Sequence, residues 1–373
     1  MTDTSQVEGE GGLPVTASPG MWRYEKLLAI SLSAPRPPLP VGGTPLLRAK
    51  WLGWQLGLQH LLIKSDSLNP TGSLKDRASA LVLARAAELG VKRVAVASTG
   101  NAGSSLAGLA ASMGIPTTIF VPKAAPRAKL VQALTYGAQV FAVEGSYDDA
   151  FELCLEASRS FGWFNRNTAY NPYTIEGKKT VSYEIYEQLG NRAPNLIFVP
   201  TGDGAILSGV ARGFKDLLKL GLIEQLPRLM AVQAEGSNAI ALAAAGDGTI
   251  RSIRARSVAD SITVDLPRNG HLALRDIRHS GGRAVVVSDE AILAAVRELA
   301  STAGIFAEPA AAASLAGLRA SLQSGDLSGD ETVVLLVTGS GLKDVEGVAR
   351  AAPEPMHVEP SLESLERAIK PLG

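Results

Sequence analysis

Short, mainly apolar runs rich in β-branched residues alternate along the chain with longer segments whose apolar positions repeat at helical spacing. Runs of this kind, bounded by glycine, proline and polar residues, are typical of strands buried on both faces of a parallel sheet. They predict strands at 94–97, 117–121, 139–143, 196–199, 229–234, 284–287 and 332–337.

Helices are predicted between these strands. In one segment Ala78, Leu81, Val82 and Leu89 repeat at helical spacing before Gly90. A glycine in this position commonly ends a helix, because it adopts the left-handed backbone conformation without strain. The alternation of strand and helix predicts an α/β fold with doubly wound parallel sheets and right-handed crossovers. In such folds, ligands bind beyond the carboxyl ends of the strands.

Composition narrows the class of protein. At 373 residues the chain is too long for one compact core, so two domains are predicted. Its 36 basic residues balance 36 acidic ones without a basic block, so a small molecule is the expected partner, rather than nucleic acid or a membrane. A single cysteine, Cys154, excludes an internal disulfide and favours a reducing compartment. No stretch resembles a signal peptide, so a cytoplasmic location is expected. The four histidines lack ligand spacing, so no metal is expected.

One lysine stands in an unusual position. The segment 69–77, Asn-Pro-Thr-Gly-Ser-Leu-Lys-Asp-Arg, places Lys75 in the first turn of a helix, with Ser73 or Thr71 as the expected helix cap. The helix dipole disfavours a cation there by about 0.3 to 1 kcal/mol and lowers the pKa of an amine. That suits a lysine that works as a neutral nucleophile. A solvated lysine beside Asp76 is the alternative.

Three glycine-rich loops follow predicted strands, at 98–103, 200–205 and 338–344. The second loop offers backbone N–H groups at a helix start, which suits a monophosphate. The carboxylate of Asp203 repels a phosphate there unless it points away and caps neighbouring amides. A dinucleotide is less well supported, because the G-x-G-x-x-G spacing is absent. A helix-start lysine beside a monophosphate cradle suggests pyridoxal 5′-phosphate.

Several motifs in the right order carry a family resemblance. The chain resembles the fold-type II pyridoxal phosphate enzymes, whose fold is like that of the tryptophan synthase β subunit, and within them the threonine synthases that lack a zinc-binding head. The resemblance covers roughly residues 21–344 and rests on Met-Trp-Arg-Tyr at 21–24, Gly-Gly-Thr-Pro-Leu at 42–46, the lysine segment at 69–77 and the three glycine-rich loops. It implies an active site between two domains and a homodimer.

The resemblance also implies residue roles. Lys75 would bind the cofactor covalently and then move protons at the substrate's Cα and Cβ. Asn101 would contact the ring hydroxyl, and Thr338 would face the pyridine nitrogen. The phosphate would be held by Gly202, Asp203, Gly204 and Ala205. Substrate contacts are expected from Ser98, Thr99, Thr174 and Lys178.

The domain division follows the same family pattern. Residues 1–20 mix Glu, Gly, Ser, Thr and Pro without periodicity and are expected to be a disordered tail. The large cofactor-binding domain is predicted to comprise 21–49 and 165–373. The segment 50–164 is predicted to form a smaller mobile domain that closes over the substrate.

One departure from the family pattern bears on the substrate. Thr174 stands where threonine synthases usually carry an arginine that holds the substrate's phosphate, so Lys178, Lys179 or Arg166 would have to replace it. The leading prediction is conversion of O-phospho-L-homoserine and water to L-threonine and phosphate. The alternatives are a serine/threonine dehydratase, a β-replacement enzyme acting on another activated amino acid, and a noncatalytic ligand sensor. Glu308, before Pro309, is interpreted as ordinary helix initiation.

Overall fold

Two sheets with helices on their faces organise the chain, and the computed structural model describes residues 12–369. The strands are β1 (Leu46–Arg48), β2 (His60–Ser65), β3 (Val94–Ala97), β4 (Thr117–Pro122), β5 (Gln139–Val143), β6 (Phe164–Asn165), β7 (Leu196–Pro200), β8 (Arg228–Ala234), β9 (Arg283–Val287) and β10 (Thr332–Val337). The larger sheet has the order β1-β2-β10-β7-β8-β9, and the smaller has the order β5-β4-β3-β6. All neighbouring strands are parallel except β1 and β2.

The helices cover both faces of each sheet. They are α1 (Lys50–Leu56), α2 (Lys75–Glu88), α3 (Asn101–Ser112), α4 (Arg127–Thr135), α5 (Tyr147–Phe161), α6 (Tyr173–Lys178), α7 (Thr180–Gln188), α8 (Ala205–Lys219), α9 (Ala239–Ala245), α10 (Gly270–His279), α11 (Asp289–Ala303), α12 (Pro309–Gln323), α13 (Val345–Ala349) and α14 (Leu362–Ile369). On the larger sheet, α11 and α12 pack on one face, and α7, α8 and α10 on the other. On the smaller sheet, α2 and α3 cover one face and α5 the other. Short 3-10 helices lie at Gly20–Leu27, Asp66–Leu68, Asp260–Ile262 and Gly341–Lys343.

The predicted α/β fold is confirmed, and all the predicted strands are present with ends within one residue of the prediction. Three strands were not predicted. β1 and β6 are only three and two residues long, so they carry little pattern. In β2 the fully buried Lys64 interrupts the apolar run, and its ammonium group donates to Glu184 at 2.6 Å. A buried cation with a distant partner cannot be recognised from local hydrophobicity.

The two sheets divide the chain at a different point from the predicted domain boundary. The smaller sheet takes its strands from residues 94–165, whereas the small domain was predicted to begin at residue 50. The segment at 60–65 instead belongs to the larger sheet, where His60–Ser65 runs parallel to Thr332–Val337. Movement of the smaller part stays a prediction.

The predicted tail at 1–20 lies partly outside the described residues, which begin at residue 12. Within the described part, Leu13 packs against the core beside the larger sheet, and the Thr16 N–H donates to the Arg23 carbonyl at 2.8 Å. Order in the described chain therefore begins before residue 21. Among residues 12–369, we find no helix with the length and apolar character needed to cross a bilayer.

Candidate active site

A cleft of about 370 Å³ lies between the two sheets and brings together most of the predicted site residues. The loops after β3 and β7 line it, and both follow the carboxyl ends of parallel strands, as predicted. The lining includes Lys75, Ser98, Thr99, Asn101, Gly202, Asp203 and Gly204. Segments distant in sequence therefore form one site.

The turn before Lys75 is fixed to the loop that follows β10. The Leu74 N–H donates to the Thr338 carbonyl at 2.8 Å, and the Ser340 N–H donates to the Gly72 carbonyl at 3.0 Å. Gly72 has a φ of 88°, which a residue with a side chain rarely adopts. The turn therefore needs glycine, and these backbone bonds hold Lys75 at the start of α2, on the wall of the cleft.

The predicted side-chain cap of α2 is wrong. Neither Ser73 nor Thr71 caps the helix. Instead the Thr71 N–H and hydroxyl both donate to the Asp76 carboxylate, at 2.7 and 2.5 Å. Asp76 is fully buried in this arrangement. Asp76 is therefore not solvated, whereas Lys75 beside it is half-buried and lines the cleft.

The surroundings of Lys75 favour its neutral form. Burial lowers the pKa of its amine, and the nearby Arg166 guanidinium acts in the same direction. The carboxylates of Asp203 and Glu308 oppose this effect only in part. A neutral amine is the form that attacks a carbonyl carbon, so the site prepares Lys75 for covalent bonding to an aldehyde.

The loop after β7 fits a phosphate group. A Cβ at Gly202 would lie 2.9 Å from Ile262 Cα, and one at Gly204 would lie 2.6 Å from Ala273 Cβ, so the backbone is bare at both positions. In residues 12–369, the N–H groups of Gly202, Asp203 and Gly204 have no hydrogen-bond acceptor. They lie at the positive end of the 15-residue helix α8.

The Asp203 carboxylate caps an amide of this loop, which is the arrangement that the sequence analysis named. Its Oδ1 accepts the Ala205 N–H at 2.9 Å. The Ala205 amide is thereby occupied, so a phosphate depends on the amides before it. Free amides, bare glycines and a lysine of lowered pKa in one cleft together fit pyridoxal 5′-phosphate.

Glu308 is the functional residue that sequence reasoning missed. Its carboxylate does not cap α12. Its two oxygens instead accept from Asn101 Nδ2 at 2.9 and 3.0 Å, and the carboxylate is 2% exposed. The same Nδ2 also lies 3.4 Å from Ser261 Oγ. Glu308 and Pro309 do begin α12, as predicted, and the bond to Asn101 is an additional contact of the Glu308 side chain. The signal in the sequence was weak: Glu-Pro-Ala at 308–310 resembles a family segment, but an acid before a helix-starting proline is common.

The Glu308 carboxyl is a candidate source of pH dependence. Burial raises its pKa to about 7, although the Asn101 amide favours the charged form. Between the unfolded-state pKa of about 4.5 and this value, the folded protein holds a proton that the unfolded chain has lost. We expect the free energy of unfolding of the cofactor-free protein to fall by about 3 kcal/mol over this interval because of Glu308.

Urea unfolding of the parent and of Glu308→Gln at about pH 5 and about pH 8 measures this contribution. Glutamine keeps an acceptor for Asn101 but does not titrate, so the variant is expected to lack that part of the pH dependence. An equal loss of stability between the two pH values in both proteins would contradict the role of Glu308.

The other predicted site residues lie outside the cleft lining. Thr338 is buried directly after β10, and Ala205 is the buried first residue of α8. Thr174 is fully buried, and its hydroxyl donates to the Asn171 carbonyl at 2.8 Å. This hydroxyl does not reach the cleft, and the expected substrate contacts of Thr174 and Lys178 stay predictions. Lys178 is also fully buried and does not line the cleft.

Ion pairs cross the mouth of the cleft. Arg268 bonds to Asp148 of α5 at 2.6 Å and stacks over Phe151 at 4.0 Å from the ring centroid. Lys129 of α4 bonds to Asp260 at 2.8 Å. These residues belong to no motif, so the sequence did not indicate them. They connect the helices beside the smaller sheet to the loop before α10.

The fold and the site define a class of enzyme that uses pyridoxal phosphate. A family model described as "Pyridoxal-phosphate dependent enzyme" matches residues 38–339, and the chain belongs to this family. Within it, the chain is similar to threonine synthases. It is 38% identical to that of Methanocaldococcus jannaschii, over 95% of this chain and 88% of the relative. It is 36% identical to that of Mycobacterium tuberculosis, over 86% of this chain and 87% of the relative.

Solved structures share the fold. Maize serine racemase superposes with a TM-score of 0.70 at 24% identity, covering 83% of this chain and 91% of the racemase. The processed threonine deaminase isoform 2 from Solanum lycopersicum gives a TM-score of 0.73 at 22% identity, covering 92% and 97%. At these identities the likeness shows the fold alone, and it confirms the predicted fold-type II architecture.

Proposed function

We propose that the chain converts O-phospho-L-homoserine and water to L-threonine and phosphate. The observation that carries the proposal is the position of Lys75, which shares one cleft with a phosphate cradle in a chain similar to threonine synthases over nearly its whole length. Small-molecule chemistry is consistent with the enclosed cleft between the sheets.

The cofactor and the chain divide the chemistry between them. When bound, pyridoxal phosphate supplies an electron sink that stabilises negative charge at the substrate's Cα. In our proposal the Lys75 amine removes the proton at Cα and then one proton at Cβ, and phosphate leaves from Cγ. Water adds at Cβ, and protons return to Cγ and Cα. The amides of Gly202 to Gly204 hold the cofactor's phosphate, and Asn101 orients its ring hydroxyl while Glu308 holds the Asn101 amide. Thr338 is the proposed partner of the pyridine nitrogen.

The proposal extends to domain movement, assembly and location. The part of the chain that follows β2 and carries the smaller sheet closes over the substrate and excludes water before negative charge develops. Protection of residues 94–165 from limited proteolysis by substrate is the expected sign of closure.

The family resemblance supports a homodimer, and the single buried cysteine fits a cytoplasmic enzyme. Sedimentation measures the oligomeric state, and cell fractionation measures the location.

A serine/threonine dehydratase is the second candidate function, and Thr174 favours it. Threonine synthases usually carry an arginine at this position, and its guanidinium holds the substrate's phosphate. This chain has Thr174 there and lacks that group. A dehydratase has no phosphate to hold. The two reactions give different products, because a dehydratase forms a 2-oxo acid and ammonia and releases no phosphate.

Product analysis with cofactor-loaded protein tests the proposal. We expect O-phospho-L-homoserine to yield threonine and phosphate in equal amounts, and Lys75→Ala to give neither. Formation of 2-oxo acid and ammonia from serine or threonine, without phosphate release from O-phospho-L-homoserine, would identify a dehydratase. A ligand response that survives in Lys75→Ala without turnover of any substrate would identify a sensor.

A further inference from the structure

Two fully buried cations near the cleft lack the partners that buried charges normally have. The Lys178 ammonium group has no hydrogen-bond acceptor among residues 12–369. The same holds for Nη2 of Arg166. Buried cations are normally matched by carboxylates or hydrogen-bond acceptors, because they have lost their water. An anion brought by a ligand would supply the partner that the described chain does not, and it would favour the charged form of Lys178.

Lys178 is held beside the phosphate loop by close helix packing. It ends α6, and a Cβ at Gly209 would lie 2.6 Å from Lys178 Cβ. Gly209 is in the second turn of α8, so its lack of a side chain lets the Lys178 side chain pack against α8 close to the phosphate loop at 202–204. Burial lowers the pKa of Lys178 well below its ordinary value, and Lys75 and Arg166 add to the effect. Only Asp203 acts in the opposite direction.

Arg166 directly follows β6 of the smaller sheet, and its charge acts on Lys178. Its Nε donates to Ser79 Oγ at 3.2 Å, and its Nη1 donates to Thr168 Oγ1 at 2.9 Å. Thr168 lines the cleft, so the guanidinium lies one side chain behind its wall. Burial lowers the pKa of Arg166 to about 10, and the nearby Asp203 only partly offsets this. The hydroxyls of Ser79 and Thr168 therefore hold the Arg166 guanidinium in place but do not neutralise its charge.

Neighbouring buried cations show what a matched charge looks like in this protein. Lys179 contacts the carboxylates of Glu176 at 2.8 Å and Asp216 at 3.0 Å. Lys64 bonds to Glu184 at 2.6 Å. Of the three replacements considered for the missing arginine, Lys179 is therefore engaged elsewhere. Lys178 and Arg166 keep free donors.

We propose that Arg166 and Lys178 form the subsite for the distal phosphate of the amino-acid substrate, in place of an arginine at Thr174. The proposal rests on the proposed function. Position 178 lies one helical turn beyond position 174, so the two side chains share a face of α6. An arginine fork and a lysine point charge are the donors that proteins use for phosphate. The cofactor's phosphate has its own amides at Gly202 to Gly204, which leaves these cations for a second anion.

Binding of an inert substrate analogue tests the subsite without turnover. The probe is 2-amino-5-phosphonopentanoate, whose carbon–phosphorus bond does not break, and the reference ligand is norvaline, which has no phosphonate. In calorimetry on holoenzyme, we expect Lys178→Met and Arg166→Met each to weaken phosphonate binding by about ten- to a hundredfold. Norvaline affinity is expected to stay within about twofold, because it lacks the charged group. Lys123→Met, at an exposed pair with Glu144, is the charge-matched control.

Three results would overturn the subsite. Phosphonate affinity unchanged in both variants removes the two cations from recognition. Equal weakening of phosphonate and norvaline indicates a structural role. Loss of bound cofactor, read from visible absorption, assigns the cations to the cofactor's phosphate instead.

Two further measurements keep the test decisive. If a methionine variant does not fold, Arg166→Lys keeps the charge but loses the fork, and it is expected to weaken phosphonate binding alone. In the unmodified holoenzyme, inorganic phosphate should compete with the phosphonate and leave norvaline binding unchanged. Threonine formation with unaltered phosphonate binding in the variants refutes only the subsite. Weakened phosphonate binding in a protein that makes no threonine refutes only the reaction.

Discussion

Lys75→Ala is expected to lower threonine formation by about a thousandfold or more and to abolish the absorption of covalently bound cofactor. Both effects follow from one amine, which binds the aldehyde and also moves protons at the substrate carbons. The side chain lines the cleft, where burial keeps its pKa low. In residues 12–369, no other lysine lines this cleft.

The measurement is initial rate at saturating cofactor, together with the visible spectrum. Lys123→Ala, at the exposed surface, controls for the loss of a lysine. Because the Lys75 side chain makes no hydrogen bond within residues 12–369, the thermal midpoint of the cofactor-free variant should stay close to that of the parent. Turnover within about tenfold of the parent would exclude Lys75 as the catalytic group.

Arg77→Met is expected to destabilise the protein by about 3 to 5 kcal/mol. Arg77 is fully buried between two carboxylates, with its Nε 2.7 Å from Asp66 and its Nη1 and Nη2 each 2.7 Å from Glu184. Burial by itself raises the pKa of Glu184, but Arg77 and Lys64 more than offset it and hold that pKa at about 2. Without Arg77, two buried carboxylates lose their main counter-charge.

The sign of the Glu184 effect sets the pH at which to measure. A depressed carboxyl pKa stabilises the folded state above the unfolded value of about 4.5, and the stabilisation is lost as pH falls towards 2. Urea unfolding near neutral pH therefore shows the full difference. Arg251→Met, which breaks an exposed pair with Asp247, is the matched control, and its expected cost is below about 1 kcal/mol. Equal midpoints for the two variants would refute the importance of the buried cluster.

Arg77 also bears on the catalytic site, because it lies two residues after Lys75 in α2. Its bonds to Asp66 and Glu184 tie the start of this helix to the larger sheet and to α7. A loss of stability in Arg77→Met should therefore be accompanied by looser positioning of the lysine. The segment 69–77 therefore contains both the reactive lysine, Lys75, and the buried arginine, Arg77, that fixes the start of its helix.

Local sequence determined much of the architecture. Strand runs such as Val94–Ala97 and Gln139–Val143 were predicted with their observed ends, because period and composition within a few residues decide whether a segment is a buried strand. The position of Lys75 at a helix start and the glycines of the phosphate loop were also readable, since turn and helix-start chemistry is local. The capping role of Asp203 followed from its position beside those amides.

Only the tertiary structure decided which groups meet. The bond from Asn101 to Glu308 joins residues 207 positions apart, and no local pattern predicts it. The same is true of β2, whose Lys64 is matched by Glu184 across the fold, and of Thr174, whose hydroxyl is already satisfied. Propensity and periodicity act over a few residues, whereas the partner of a buried charge is set by packing between distant segments. The unpaired donors of Arg166 and Lys178 are also a tertiary feature, because the sequence does not show which buried side chains find a partner.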